Sequence, residues 1–438
     1  MASVHSKYLD VFVAKQVKNS ATTSNVFITF GKSSTWANDA APPQANTSML
    51  SFYEIWRNMI GAKRITGNNV RHVIPRFNWT ANTVYTAYDH MTDSKDLKNA
   101  NTQFYVMTTD YNVYKCLSNN YGANSVVQPN TVITTTHFQT SDGYIWKYMY
   151  TVAADEKLRF VTDSFIPVKT IAASDGSLQW EVQSHAIDGA IHTIQVTNGG
   201  SNYYSNDISV IISGDGRDAN AYAQLNTTSH TVSSIVVDNL GYDYTYATVT
   251  LSSSNGAGAT ARAIISPSGG HGYDPLRELG GSYLIFDVQF KNNEQGVLTT
   301  HNDYRQISLM EDPLLYGSNT VFSNSVASQL TVLTLNGTSE EYVEDEWVYQ
   351  GISLATATFK GQVTEWDSSN NVIKLSETTG TPTKDLLVGA NTTASRFVSF
   401  VDNPDIQPFT GKLLYTDNIT PISRAIDQTE DFKIVLNF

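Results

Sequence analysis

The chain has 438 residues, more than one hydrophobic core usually supports, so two or three domains are expected. Its formal net charge of −13 argues against a nucleic-acid binder, which needs a basic surface. No apolar run approaches the length of a membrane span, no signal segment opens the chain, and the single Cys116 excludes a disulfide framework or a multi-thiolate zinc site. We therefore expect a soluble protein that is neither exported by a signal peptide nor inserted in a membrane.

Most of the sequence has the pattern of β-strands joined by turns. Tyr, Phe, Trp, Val, Ile and Thr occur in short stretches that are separated by Asn, Gly, Ser and Asp. The predicted fold is mainly β: a β-sandwich body with a few short helices, discontinuous in sequence, that carries two small inserted β domains. The predicted segments are body 1–188, an inserted β-repeat module 189–266, body 267–314, an inserted small barrel or sandwich 315–410, and a final body strand 411–438.

The charge is distributed unevenly along the chain. Residues 1–76 contain nine basic and three acidic residues, a net of +6, so the remainder carries −19. Such polarity is able to steer assembly between complementary surfaces, but it is equally typical of an ordinary solvated surface.

One helix is predicted near the amino terminus. Ser51 and Glu54 have the spacing of a capping box, and Gly61 is a plausible stop. Apolar residues recur at helical spacing, which requires burial against a sheet or a partner. These residues are Phe52, Ile55, Trp56, Met59 and Ile60.

An aromatic ladder marks a strand in 143–152. Tyr144, Trp146, Tyr148 and Tyr150 alternate with other residues, so they are predicted to share one face. Such a ladder is used either as a sugar-binding platform or for packing in a core or interface. Packing is the favoured interpretation.

An internal repeat occupies 189–266. Asn198, Gly200 and Tyr203 recur as Asn239, Gly241 and Tyr244, at an offset of 41 residues. Each copy has the pattern of a few short strands with a Gly-rich turn, a unit that would bury its apolar face against its twin. We interpret the repeat as an inserted β module.

A second change of composition covers 315–410. A Ser/Asn-rich stretch leads into the acidic run EEYVEDE at 340–346, and strands are predicted at 348–351, 358–363 and 372–375. The acidic run is suited to cations or basic partners, although a solvated loop or strand edge is the default. GDGRD at 214–218 has calcium-like oxygens but lacks the full motif, so an Asp/Gly turn is favoured.

The sequence lacks the motifs that usually mark catalysis: a phosphate-binding Gly-rich loop with Lys-Ser or Lys-Thr, a Gly-x-Ser-x-Gly elbow and a His-Glu-x-x-His helix. His72, His137 and His271 each lack a second metal ligand at helical or hairpin spacing. Cys116 is interpreted as a buried apolar residue rather than a reactive thiol. We expect no enzyme activity, and assign no catalytic, cofactor or metal residues; partner-interface residues are unknown from sequence.

Motifs at both ends of the chain resemble the T-even bacteriophage baseplate wedge subunit, the gene product eight family. NVFITFGKSSTW (25–36), APP (41–43), the helix end at 55–61 and VIPRFNW (73–79) follow the family's order. VYKCL (113–117), SDGYIWKY (141–148), YRQISL (304–309) with DPL (312–314), IDQTE (426–430) and IVLNF (434–438) continue it. The resemblance covers about 8–188, 273–314 and 411–438, and neither inserted module.

Membership of this family implies a structural protein of the virion tail baseplate, made in the host cytoplasm. It implies a homodimer in each wedge that contacts other wedge subunits, tail-fibre attachment proteins as further partners, and a relay of conformational change from host attachment to sheath contraction. It implies no cofactor. Two alternatives come from other classes: a receptor- or carbohydrate-binding tail protein, usually a trimer, and a cell-wall or capsule hydrolase with a concave acidic cleft.

Overall fold

The computed structural model describes residues 5–204, 208–300, 302–337 and 340–438. The mainly β fold with a few short helices is confirmed. The helices are α1 (Lys7–Thr23), α2 (Met49–Asn58), α3 (Ser94–Leu97), α4 (Ala154–Phe160), α5 (Leu178–Ser184) and α6 (Pro275–Glu278), with single 3-10 turns at Gly67–Asn69, Asn120–Gly122, Glu294–Gly296 and Leu354–Thr356. Within the described ranges, no helix combines the length and apolar character that crossing a membrane requires.

The strands outnumber the helices, and many follow one another without a helix between them. They are β1 (Val26–Gly31), β2 (Met59–Arg64), β3 (Val70–Pro75), β4 (Tyr105–Met107), β5 (Asn112–Ser118), β6 (Phe138–Gln139), β7 (Ile145–Thr151), β8 (Phe165–Pro167), β9 (Ile191–Ser201), β10 (Ser209–Gly214), β11 (Arg217–Asn226), β12 (Thr231–Tyr242), β13 (Ala247–Ser252), β14 (Ala257–Ile265), β15 (Tyr283–Lys291), β16 (Asp303–Glu311), β17 (Val326–Ser328), β18 (Thr331–Asn336), β19 (Trp347–Gln350), β20 (Phe359–Asp367), β21 (Val372–Gly380), β22 (Leu386–Gly389), β23 (Ser395–Asp402), β24 (Lys412–Ser423) and β25 (Thr429–Asn437).

The chain divides into two compact units, each assembled from separate stretches of sequence. The first unit comprises Met1–Gln16, Arg71–Ile285 and Val435–Phe438. The second comprises Val17–Val70 and Phe286–Ile434.

A four-stranded sheet in the order β4-β5-β7-β6 carries the aromatic ladder of the first unit. Tyr144, Trp146 and Tyr148 are completely buried in one cluster, which confirms the interpretation as core packing and leaves no sugar-accessible face. Tyr150 is also buried, but it lies in a different cluster. The prediction of one shared face is wrong for Tyr150, because the pairing of β7 with β5 skips Met149, and this bulge in β7 lies between Tyr148 and Tyr150.

The internal repeat forms one six-stranded sheet in the order β10-β13-β14-β9-β12-β11. The first copy supplies β9 to β11, and the second supplies β12 to β14. The two longest pairings, β9 with β14 and β11 with β12, each join one copy to the other. Strand β9 of the first copy corresponds to β12 of the second, and β11 corresponds to β14. The two pairings are therefore equivalent. The copies therefore bury their apolar residues through interleaved strands rather than as two separate stacked units.

The repeated glycines have equivalent backbone conformations in this sheet. Gly200 and Gly241 have φ values of 64° and 62°, a region that L-residues with a side chain avoid. Their backbone N–H groups donate to the Oδ1 atoms of Asn198 and Asn239, at 2.9 and 3.2 Å. The sequence repeat is thus a repeat of local backbone geometry.

The second unit contains a five-stranded sheet in the order β17-β2-β1-β16-β24. All six residues of the central strand β1 are buried. Helix α2 packs Trp56 into a cluster with Phe27, Met310 and Phe322. The aromatic and apolar residues of the amino-terminal motif therefore form the centre of this sheet.

Helix α2 differs at both ends from the prediction. It begins at Met49, after Ser48, whose Oγ accepts a hydrogen bond from the Ser51 N–H at 3.1 Å. It ends at Asn58, and Gly61 lies in strand β2 instead of stopping the helix. A Cβ atom at Gly61 would lie 2.5 Å from the Leu298 side chain, so the residue is required by packing in the sheet and not by a helix end.

The second unit also contains a closed barrel in the order β18-β21-β20-β19-β22-β23. The strands predicted at 348–351, 358–363 and 372–375 correspond to β19, β20 and β21. Closure leaves no free edge for aggregation. The buried interior includes Leu333, Val348, Val363, Ile373 and Leu387.

Candidate functional site

Each of the three histidines that were considered as metal ligands contacts other groups of the protein. His72 is buried, and its Nδ1 atom lies 2.9 Å from the carbonyl oxygen of Gly281. His137 and His271 belong to a row of rings in the first unit, with His192 between them. The ring centroids are 5.3 Å apart for His137 and His192, and 4.9 Å apart for His192 and His271.

Two lysines and one glutamate complete this histidine row. Lys115 Nζ lies 2.8 Å from Glu278 Oε2 and 3.0 Å from His271 Nδ1. Lys147 Nζ donates to the carbonyl oxygens of Thr134 and Thr136, at 3.1 and 3.3 Å. Sequence reasoning missed the cluster because its members come from five separate segments. A signal was nevertheless present, since each lysine lies in the middle of an aromatic, otherwise apolar strand.

Burial holds the imidazoles of the cluster in their neutral form. Burial and the nearby Lys147 cation lower the pKa of His137 to about 4. Burial, together with neighbouring cations, places the pKa values of His192 and His271 well below the ordinary value. Burial also lowers the pKa of Lys147 to about 8. Each shift reflects the cost of a charge in a low-dielectric core.

The part of the cluster around Lys115 and His271 is suited to holding the fold together. Lys115 and His271 have side chains that are only 1% exposed, so a substrate has no access to them. Two lysines beside the histidines oppose the binding of another cation. In the ranges with described coordinates, no group of three or more His, Cys, Asp or Glu side chains has a metal-binding arrangement.

Two further candidates from the sequence are Cys116 and the segment GDGRD at 214–218. Cys116 is buried, and burial raises the pKa of its thiol, as expected for a small core residue. Asp215 lies in the turn between β10 and β11, where hydrogen bonds from the Thr245 hydroxyl and backbone lower its pKa to about 2. The predicted Asp/Gly turn is present, since β10 ends at Gly214 and β11 begins at Arg217.

The acidic run at 340–346 is only partly a solvated loop. Glu346 is 1% exposed, and its carboxylate accepts hydrogen bonds from the backbone N–H groups of Val343, Asn391 and Thr392 at 2.9 to 3.2 Å. The solvated interpretation is wrong for this residue. Glu346 ties together two loops at one end of the barrel.

An apolar surface on α1 is the clearest candidate for partner contact in the amino-terminal region. Val11 and Ala14 face the protein interior. The opposite face leaves large side chains in solvent, with Leu9 48% and Phe12 55% exposed and Val13 also exposed. Contiguous apolar residues on a protein surface usually mark an interaction site.

The exposed face of α1 lies in a part of the chain that is similar to known proteins. The family model described as Bacteriophage T4, Gp8 matches residues 6–137. The baseplate wedge protein gp8 of Enterobacteria phage T4 is 24% identical over 178 residues, covering 33% of this chain and 53% of that protein. The chain thus matches about half the length of this relative. These matches confirm the resemblance inferred from the motifs: the amino-terminal region of this chain is similar to the gp8 baseplate wedge family.

Proposed function

We propose that this protein is a structural component of the baseplate wedge of a contractile phage tail, located in the virion and made in the host cytoplasm. The match of residues 6–137 to the gp8 family is the observation that carries this proposal. In the structure, that segment supplies the central strand β1, the helix α2 and the exposed face of α1. The matched region therefore contains both a buried framework and a surface suited to contacts.

The proposed mechanism is contact and movement without catalysis. His192 and His271 are buried, and the aromatic cores and the closed barrel have buried interiors. Densely packed modules transmit force as rigid bodies, since their interiors deform little. The protein would join neighbouring wedge proteins and pass rigid-body movement from host attachment toward sheath contraction.

We further propose that the protein acts as a homodimer in contact with other wedge subunits and with tail-fibre attachment proteins. The exposed apolar face of α1 supports a stable protein contact. A Phe12→Glu substitution would place a charge in that contact and convert the dimer to monomer in sedimentation. If the Phe12→Glu variant remains a dimer, α1 is not part of the dimer interface.

We also propose that 189–266 and 315–410 are modules inserted into the body of the protein. The ends of the repeat module meet, because the Ser266 N–H donates to the Ala190 carbonyl oxygen at 2.9 Å and the Ala190 N–H donates to Ser266 Oγ at 3.0 Å. Adjacent ends are what an insertion requires. Deletion of 189–266 is expected to leave a folded dimer, and loss of soluble protein would assign the module to the body's core.

The decisive experiment for the function is a reconstruction of the particle. We expect density for this chain in the baseplate wedge, with dimers repeated around the tail axis. A trimer at the tip of a distal fibre, with a sugar bound, would contradict the wedge proposal and support an adhesin.

A further inference from the structure

Two adjoining clefts in the second unit form one groove between α2 and the sheet edge. One cleft has a volume of about 260 Å³ and the other about 450 Å³, and Thr416 of β24 lines both. We call this feature the α2–β24 groove. Its two ends have different chemistry: an apolar end lined by Met49, Phe52, Leu413 and Leu414, and a basic end lined by Lys32, Trp36, Arg57, Trp347 and Lys360.

The apolar end is open and lies beside β24, an edge strand of its sheet. Met49 is 66% exposed and Leu414 is 50% exposed. Among the described residues, β24 pairs on one side only, with β16, and forms the edge of its sheet. A free edge offers backbone N–H and C=O groups to an extended peptide, which is the usual mode of strand addition.

The basic end is lined by three cations, Lys32, Arg57 and Lys360, and by two carboxylates, Glu54 and Glu377. Lys32 is paired with Glu377 at 3.7 Å. In the described part of the chain, neither Arg57 nor Lys360 forms an ion pair with a carboxylate. The lining of this end thus has a net charge of +1 in a protein whose formal net charge is −13. It is therefore complementary to an acidic ligand.

We propose that the α2–β24 groove binds an extended acidic peptide segment of a partner protein. An apolar side chain of that segment would pack against Met49 and Leu414, and its carboxylates would meet Arg57 and Lys360. Backbone groups of the segment would pair with the free edge of β24. The inference rests on the proposed function in assembly and names the chemistry of one partner.

An anionic polysaccharide fits this groove less well than a peptide. Lys32 Nζ lies 5.2 Å from the ring centroid of Trp36, and Lys360 Nζ lies 5.8 Å from that of Trp347. The ammonium groups thus cover indole faces on which a sugar ring would stack. A polysaccharide also has no backbone N–H and C=O pattern with which to pair the strand edge.

The binding test uses the full chain and a fluorescent peptide with the sequence of residues 340–346. This peptide combines five carboxylates with a tyrosine and a valine. The control peptide has Gln for each Glu and Asn for the Asp. Anisotropy at low salt should show binding of the acidic peptide and a weakened or absent response for the neutral one. Absence of binding at millimolar peptide overturns the proposal.

Charge reversal then locates the binding surface. Arg57→Glu combined with Lys360→Glu should weaken peptide binding by more than about tenfold, because two attractive charges become repulsive. Lys95→Glu combined with Lys384→Glu makes the same change of net charge at other exposed positions, and should leave most of the affinity intact. Equal losses in both pairs would show a nonspecific charge effect and overturn the proposal.

Two further measurements separate the alternatives. Leu414→Ser should weaken binding of the peptide. If polygalacturonate binds wild type more tightly than the peptide does, the ligand of the groove is an anionic glycan and the peptide proposal is wrong. Unchanged thermal unfolding of each variant shows that the fold is retained. If wild type assembles into baseplates without binding the peptide, the groove inference fails and the proposed function stands. Absence of wild type from the baseplate refutes the proposed function itself.

Discussion

Lys115 Nζ and Glu278 Oε2 lie 2.8 Å apart in the core of the first unit, with side chains 1% and 4% exposed. The ammonium group also lies 4.2 Å from the ring centroid of Tyr88. Glu278 in turn accepts backbone hydrogen bonds from Gly272 and Asp274 at 2.8 and 3.2 Å. The pair therefore links strand β5 to the loop that precedes α6.

Removing the carboxylate of this pair should be strongly destabilising. Glu278→Gln leaves the Lys115 cation buried without its counter-ion, which typically costs about 3–5 kcal/mol of unfolding free energy. Urea unfolding at neutral pH measures the loss. The matched control is Glu365→Gln, whose partner Lys374 is 3.0 Å away but about a quarter exposed, and a change of less than about 1 kcal/mol is expected. Equal effects would show that burial does not determine the cost.

Acidification should destabilise the fold through the histidine row. The folded-state pKa of His137 is about 4, below the ordinary 6.5, so the unfolded chain binds its proton first as the pH falls. The unfolding free energy should therefore fall between about pH 6.5 and pH 4, by up to about 1.4 kcal/mol per pH unit for each such histidine. Lys115, Lys147 and Glu278 are the charged neighbours that act on this row.

The assignment of this pH dependence is tested by replacing one ring of the row. His192→Phe keeps an aromatic ring but removes a proton acceptor, so stability should vary less steeply over this pH range. His185→Phe, at an exposed position, should retain the wild-type slope. If the unfolding free energy of His192→Phe depends on pH as steeply as that of wild type, the histidine row is not the cause. The pH dependence would then come from carboxylates, which are the same in all three proteins.

The buried Glu346 should stabilise the barrel. Glu346→Ala leaves the N–H groups of Val343, Asn391 and Thr392 without their acceptor, and a loss of about 2–3 kcal/mol is expected. Glu340→Ala, in the same acidic run at an exposed position, should change stability by less than about 0.5 kcal/mol. Thermal unfolding of the two variants compares them directly, and a neutral Glu346→Ala would contradict a structural role.

The two repeated glycines should be equally sensitive to substitution. A Cβ atom at Gly200 would lie 2.5 Å from the Ala257 carbonyl oxygen, and one at Gly241 would lie 2.6 Å from the Arg217 carbonyl oxygen. Alanine at either position should cost about 1–3 kcal/mol, because both the positive φ and the close backbone contact resist a side chain.

The control for the glycine pair is Gly317→Ala. Gly317 also has a positive φ, of 67°, but a Cβ atom there meets open space. Its cost should therefore be smaller and reflect the backbone conformation alone. Urea unfolding curves that differ widely between Gly200→Ala and Gly241→Ala would show that the two copies are not structurally equivalent.

The fold class and several elements could be predicted from local patterns. The period of two in the ladder, the turn residues and the repeated Asn-x-Gly motif depend on neighbouring residues in sequence, so they are readable there. The ends of α2 were misplaced by two to three residues, because both Ser48 and Ser51 are suitable capping residues and only the backbone decides between them. The face of Tyr150 was missed because a bulge at Met149, in β7 itself, interrupts the alternation, and this bulge is defined only by the pairing with β5.

The sequence by itself determined that this protein is mainly β, that it contains a duplicated module, and that it resembles the baseplate wedge family. These properties follow from short-range periodicity and from the order of motifs. Only the tertiary structure decided that the repeat interleaves its strands, that His137, His192 and His271 form one row, and that Arg57 and Lys360 share a groove. The reason is physical: each of these features depends on contacts between residues that are distant in the chain, and nothing in local sequence fixes such distances.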